Sequence, residues 1–171
     1  RGTRTVEKRI FWSTMRDLRP RQHLQSPTHH HHSPLAQFLS QLMSKLKFKN
    51  AIICDHATLG AGNKHTLINV YSGDIIIPTV PNNVMLSAYL EMEAPITGSA
   101  KIKLTYKLNA AVIASIEAQA EGLVKGEVGV VLLPPMPIGI GSAGDLRLIA
   151  EMEGVGKTTA IHKKVIVGPV P

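Results

Sequence analysis

The sequence predicts an all-β fold, an antiparallel two-sheet β-sandwich of eight or nine strands behind a disordered N-terminal tail. Three observations carry this expectation. From residue 43 onward, apolar and polar residues alternate with period two in segment after segment. Turn-forming clusters of Gly, Pro, Asn and Asp recur roughly every eight to twelve residues, the spacing a sandwich or barrel produces. No segment shows an apolar stripe of helical period over about ten residues.

The alternation is clearest in three segments. In residues 84–93, Leu86, Ala88, Leu90 and Met92 share one face, with Ser87, Tyr89, Glu91 and Glu93 opposite. In residues 101–108, Ile102, Leu104, Tyr106 and Leu108 oppose Lys101, Lys103, Thr105 and Lys107. In residues 112–121, Ala114, Ile116, Ala118 and Ala120 oppose Ser115, Glu117, Gln119 and Glu121. Each predicts a half-buried antiparallel strand with one wet face. Residues 51–54, 75–77 and 128–133 are apolar throughout and predict central strands. Residues 145–167 predict a closing hairpin, with Leu146, Leu148, Ala150 and Met152 facing inward and the turn at residues 153–157. Prolines 169 and 171 then end the pairing, because proline has no N–H to give a ladder.

Composition divides the chain near residue 43. Residues 1–42 hold seven Lys and Arg against two acids, whereas residues 43–171 hold twelve against ten. Six of seven arginines lie in the first part, with the only Trp, Trp12, and the run His29 to His32. Residues 35–42 make a short amphipathic piece, too short to be a stable helix alone. Little apolar periodicity is available to offset ordering entropy, so disorder is expected over residues 1–42. A basic arm for nucleic acid, an added leader and a reading frame opened too early all fit such a tail. The last is preferred, because Met43-Ser-Lys-Leu-Lys-Phe reads as a natural start. The domain is then residues 43–171, about 130 residues, enough for a core without disulfide or metal.

The high overall charge comes mostly from the tail, so the body gives weak support for a nucleic-acid partner. The single cysteine, Cys54, permits no internal disulfide, and a reducing, cytoplasmic setting is the simplest fit. No run of about eighteen apolar residues suggests a membrane span.

Several motifs invite chemistry and are better read as structure. Gly154-Val-Gly-Lys-Thr-Thr159 suggests a phosphate loop, but Glu151 stands where the leading glycine belongs. A β-branched segment follows it, whereas a phosphate loop feeds its amides into a helix. A glycine-rich hairpin turn is expected instead. Cys54, Asp55, His56, His65 and Asp74 include metal-ligating types, but no second Cys supplies a zinc pair. The histidine run would bind nickel or zinc weakly, as any such run does. Cys54 with His56 or His65 is the only pairing for nucleophilic catalysis, and nothing nearby in sequence lowers the thiol pKa. Residues 134–141, Pro-Pro-Met-Pro-Ile-Gly-Ile-Gly, suit a crossover between sheets better than a polyproline docking segment.

Within residues 51–77, Cys54 and Asp55, Lys64, Thr66, Leu67 and Ile68, Val70 and Tyr71, and Gly73, Asp74 and Ile75 form the pattern CD…K.TLI.VYSGDI. This resembles a family of small bacterial proteins of unknown function. Residues 56 and 58 depart from it, with His and Thr where an acid and an arginine are commoner, as does Asn63, in place of a Gly before Lys64. The resemblance implies a β-sandwich beginning close to Met43 and brings no activity with it.

The expectation is therefore a binding or accessory module without catalytic residues, cofactor or metal, acting on a protein or small-molecule partner. The candidate interaction patch is Asp55, His56, Lys64, Tyr71, Ser72 and Asp74. The strand at residues 66–71 carries apolar bulk on both faces, so Ile68 is expected to be buried in a central strand. Gly73 and Asp74 are expected to build a local turn, with unusual angles at Gly73 and a local cap from Asp74. The alternatives are a hydrolase or metal-dependent enzyme using the Cys54–Asp74 region, and a nucleic-acid binder acting through the basic tail.

Overall fold

The computed structural model describes residues 5–7, 13–14 and 45–169. Eleven strands are present among them: β1 (Thr5–Glu7), β2 (Ser13–Thr14), β3 (Lys47–Leu59), β4 (His65–Val70), β5 (Ile75–Ile77), β6 (Asn82–Glu93), β7 (Gly98–Leu108), β8 (Ala111–Leu123), β9 (Val128–Ile140), β10 (Gly144–Met152) and β11 (Gly156–Val167). The chain is all-β. One sheet runs β1-β8-β7-β10-β11-β5 and the other β2-β9-β6-β3-β4. Of the leading segment, β1 lies parallel along β8 and β2 antiparallel along β9. The rest of that segment, with the 35–42 piece, the histidine run, Met43 and the disorder expected there, falls outside the described residues.

Alternation decides the core. Leu86, Ala88, Leu90 and Met92 of β6 and Val131 and Leu133 of β9 are buried against Ile102, Leu104 and Tyr106 of β7 and Leu146, Leu148, Ala150 and Met152 of β10. Ile116, Ala118 and Ala120 extend this layer on β8. Polar partners on the far face of the first sheet stay in water, as with Lys103 and Glu117, whose charged groups lie 2.8 Å apart. The β10–β11 hairpin turns at Gly154, whose φ of +74° suits glycine. Lys157 stands in the ladder opposite Glu151, so the phosphate-loop look-alike is a hairpin.

The expectation of a purely antiparallel sandwich needs four corrections. First, β5 pairs with β11 in parallel, as β1 does with β8. Second, β5 is an edge strand, so residues 75–77 are not central: Ile75 and Ile77 are buried while Ile76 is exposed. Third, residues 134–140 are no crossover but continue β9, paired with β6 from Leu86↔Met136 to Asn82↔Ile140. Among the described residues β2 covers β9 only at Gly129 and Val130, so the prolines lie along an open edge where missing N–H groups cost no ladder bond. Fourth, the second sheet is curled into a half-barrel.

The curl has a definite cause. β3 pairs with β6 as far as Cys54↔Ser87, and from there to Leu59 it pairs with β4 alone. Tyr89 lies opposite Ile52, and His65 lies opposite Leu59, seven positions further along β3. A straight strand would separate them by about 23 Å. Their rings instead meet edge-on with centroids 5.1 Å apart. The distal half of the β3–β4 hairpin therefore folds back over β6, on the side turned away from the main core. Ser87 Oγ fixes the fold-back: it accepts from the Ala57 amide at 2.9 Å and donates to the Leu133 carbonyl at 2.5 Å. It sits where the β6–β9 register slips between Leu86 and Ala88. Ser87 and Tyr89, expected to face water, are buried for this reason, at 0 % and 7 % exposure.

Ile68 is the plainest reversal. β4 is the outer strand of its sheet, and Ile68 and Val70 are each 47 % exposed. Ile68→Ala should cost about 1 kcal/mol or less in a denaturant melt. Ile53→Ala, at a fully buried position in β3, should cost about 2–5 kcal/mol. Ser87→Ala leaves an amide and a carbonyl without their partner and should cost about 1–3 kcal/mol. A neutral Ser87→Ala melt would show that the fold-back does not depend on this hydroxyl.

Candidate functional site

The exposed hairpin formed by the distal half of β3 and by β4, with the link from Tyr71 to Asp74, contains all six residues of the patch expected from sequence. At its base, Asp55 accepts from the Tyr71 hydroxyl at 2.6 Å through Oδ1 and from Asn69 Nδ2 at 2.9 Å through Oδ2. Asn69 holds φ at +53°, a left-handed angle that asparagine tolerates better than most side chains. That bend and the Tyr71 N–H to Ile53 carbonyl bond, 3.0 Å, turn the chain out of β4. Burial, with the hydrogen bond to Asp55 adding to it, pushes the Tyr71 hydroxyl far above its ordinary pKa.

The following link is tied to the other sheet. The Ser72 carbonyl accepts from Lys163 Nζ at 2.9 Å, and Asp74 Oδ1 accepts from the Lys164 amide at 3.1 Å. The expected local cap is thus replaced by a tether across ninety positions of sequence. Gly73 keeps an ordinary backbone, so its expected unusual angle is absent. His56 and Lys64 are exposed on the arm, and Lys64 stands at its tip beyond the short 3-10 turn Ala61–Asn63. The structure therefore brings Asp55 and Tyr71 together and anchors Ser72 and Asp74 on β11. It does not gather His56 and Lys64 with them.

The chemistry open to this region follows from those bonds. Both Asp55 oxygens already accept, so the carboxylate acts as a brace. Burial pushes the Cys54 thiol up, and its S–H donates to the His56 carbonyl at 3.3 Å. The His65 ring lies against Tyr89, so Cys54 and His65 do not pair as nucleophile and base. Among the described residues, no three His, Cys, Asp or Glu side chains are placed to share a metal ion. No helix there is long and apolar enough to cross a membrane.

No protein-family model matches this sequence, and a search of curated proteins finds no match to it. The resemblance of residues 51–77 therefore rests on its motif residues alone.

Sequence reasoning missed Asn69 and Ser87. An Asn inside a β-branched strand and a Ser between Leu86 and Ala88 were the available signals, because each interrupts an apolar segment.

A pH dependence follows from the buried tyrosines. Burial first, then the 2.5 Å hydrogen bond to Glu91, raise Tyr89 from 10.0 to about 12. The unfolded chain releases this proton first as pH rises, so the contribution is complete below pH 10 and is lost towards pH 12. Thermal melts between those limits should fall less steeply for Tyr89→Phe than for the parent. Parallel slopes would mean that Tyr89 is not coupled to folding.

Proposed function

We propose that the chain is a non-catalytic binding module that captures an extended polypeptide segment along the edge of β4. One observation carries this reading: β4 is an unguarded edge with an exposed row Thr66, Ile68 and Val70. Sheet edges invite pairing by another strand unless charge, proline, brevity or a covering segment prevents it. The edge of β9 carries Pro134, Pro135 and Pro137, β5 is three residues long and runs into Pro78, and β1 lies along β8. β4 has six residues, with no proline, lysine or acid in them. Strand addition takes its affinity from main-chain hydrogen bonds and its specificity from alternate side chains. The Asp55 brace and the two tethers to β11 hold the arm ready for it, which lowers the ordering cost of binding.

The scaffold is read as a β-sandwich whose second sheet is bent, and Cys54 as a buried free thiol suited to a cytoplasmic setting. The hydrolase or metal-enzyme alternative draws less support, because Asp55 and Asp74 are already committed to structural hydrogen bonds. The nucleic-acid alternative depends on the tail.

A display library of random peptides selected on the intact chain tests the proposal. Enriched peptides should alternate apolar residues, and Ile68→Lys should lose at least about tenfold in affinity for them, the effect of a charge placed in an apolar contact. Enrichment that survives Ile68→Lys and Val70→Lys unchanged would move the binding surface elsewhere.

A further inference from the structure

We propose that a cleft at the opposite end of the molecule binds a small, multiply charged oxyanion. The cleft measures about 440 Å³ and lies between the start of β3, the end of β6 and the turn from β8 to β9. Lys45, Lys47 and Lys125 line it, with Glu93 as the one acid and Ala94 and Gly126 among the remaining walls. Three cations against one carboxylate leave the lining at +2. Glu93 is itself shared between Lys47 and Lys49, each at 3.7 Å. Lys45 and Lys125 have no acidic partner among the described residues.

The arrangement is held in place. The Gly126 amide donates to the Ala94 carbonyl and the Ala94 amide to the Glu127 carbonyl, both at 2.8 Å. The Lys125 amide donates to Thr97 Oγ1 at 3.2 Å. Gly126 takes φ +86°, a conformation that favours glycine. The turn bearing Lys125 is thereby pinned to the strand end bearing Glu93.

Size and lining together choose the ligand. The volume falls in the range of small-molecule sites. Its rim carries ammonium groups, which bind phosphate as compact point charges. The far face of the first sheet provides the contrast. In one row there, Lys103 lies between Glu117 and Glu151, and Glu151 faces Lys157, so opposite charges alternate across four strands and that row carries no excess, although Arg147 faces Lys107 in another. The cleft has such an excess. Its chemistry suits phosphate esters and polycarboxylates alike, and the site is independent of the β4 edge.

Calorimetric titration of the full chain with inorganic pyrophosphate and with citrate, at low ionic strength, tests the site. Saturable one-to-one binding of either is expected; pyrophosphate alone assigns phosphates, and citrate alone assigns carboxylates. Lys125→Glu should weaken it about tenfold or more, in line with loss of a charge-assisted hydrogen bond. Glu93→Gln should tighten binding, because it removes the competing carboxylate while the surface pairs it breaks contribute little. Lys157→Ala, on the other sheet, should change nothing. Absence of saturable heat from both anions overturns the proposal. So does weaker binding in Glu93→Gln, or a loss in Lys157→Ala equal to that in Lys125→Glu, which would indicate diffuse surface charge.

Discussion

The hydroxyl of Ser87 holds the second sheet in its shape. β3 leaves β6 after Cys54, and a strand that leaves its neighbour exposes amides and carbonyls that must be satisfied elsewhere. One serine bridges β3 and β9 across β6, accepting from Ala57 and donating to Leu133 where the β6–β9 register slips. It is fully buried, and both hydrogen bonds of its hydroxyl are made inside the protein. A hydrophobic residue there could fill the space but could not make either bond. The folded-back arm that covers Tyr89 is held at this point by that local substitution of side chain for backbone.

With the arm folded back, the link after it must cross to the other sheet, and it does so under constraint. Tyr71 is held by Asp55, Ser72 by Lys163 and Asp74 by the Lys164 amide. β5 then runs parallel to β11, and the Gly168 amide gives a last bond to Ile77 at 3.0 Å. The segment from Asp55 to Ile77 thus acts as a clasp between the sheets. Its polar residues stand close in sequence because three of them close that clasp, and their neighbours Ile68 and Val70 on β4 are left exposed.

Strand positions were legible because burial on one face imposes period two, and β6, β7, β8 and β10 carry it in full. The inner row from Leu86 to Met92 could be read directly. What alternation does not encode is whether the second face is also covered, and Ser87 and Tyr89 are buried by an arm that arrives from another part of the sequence. Ile68 misled for the converse reason: apolar bulk on both faces marks a central strand and an adhesive edge equally well. The prolines of residues 134–137 suggested a break, yet an open edge tolerates them. Within the candidate site, Asp55 and Tyr71 of the motif meet in a hydrogen bond. Asp74 looks like a local cap in the sequence because its true partner, the Lys164 amide, carries no side-chain signal. The lysines of the cleft come from positions eighty residues apart and have no common motif.

The most direct test of the fold-back is the proximity of two rings. With His65 and Tyr89 centroids 5.1 Å apart, proton NMR should show strong nuclear Overhauser cross-peaks between the imidazole and phenol rings. The Ala57 amide should exchange slowly with solvent in the same sample. Missing ring cross-peaks, together with an Ala57 amide that exchanges at the rate of an open strand, would contradict the fold-back and leave β3 and β4 as a straight extension of the sheet.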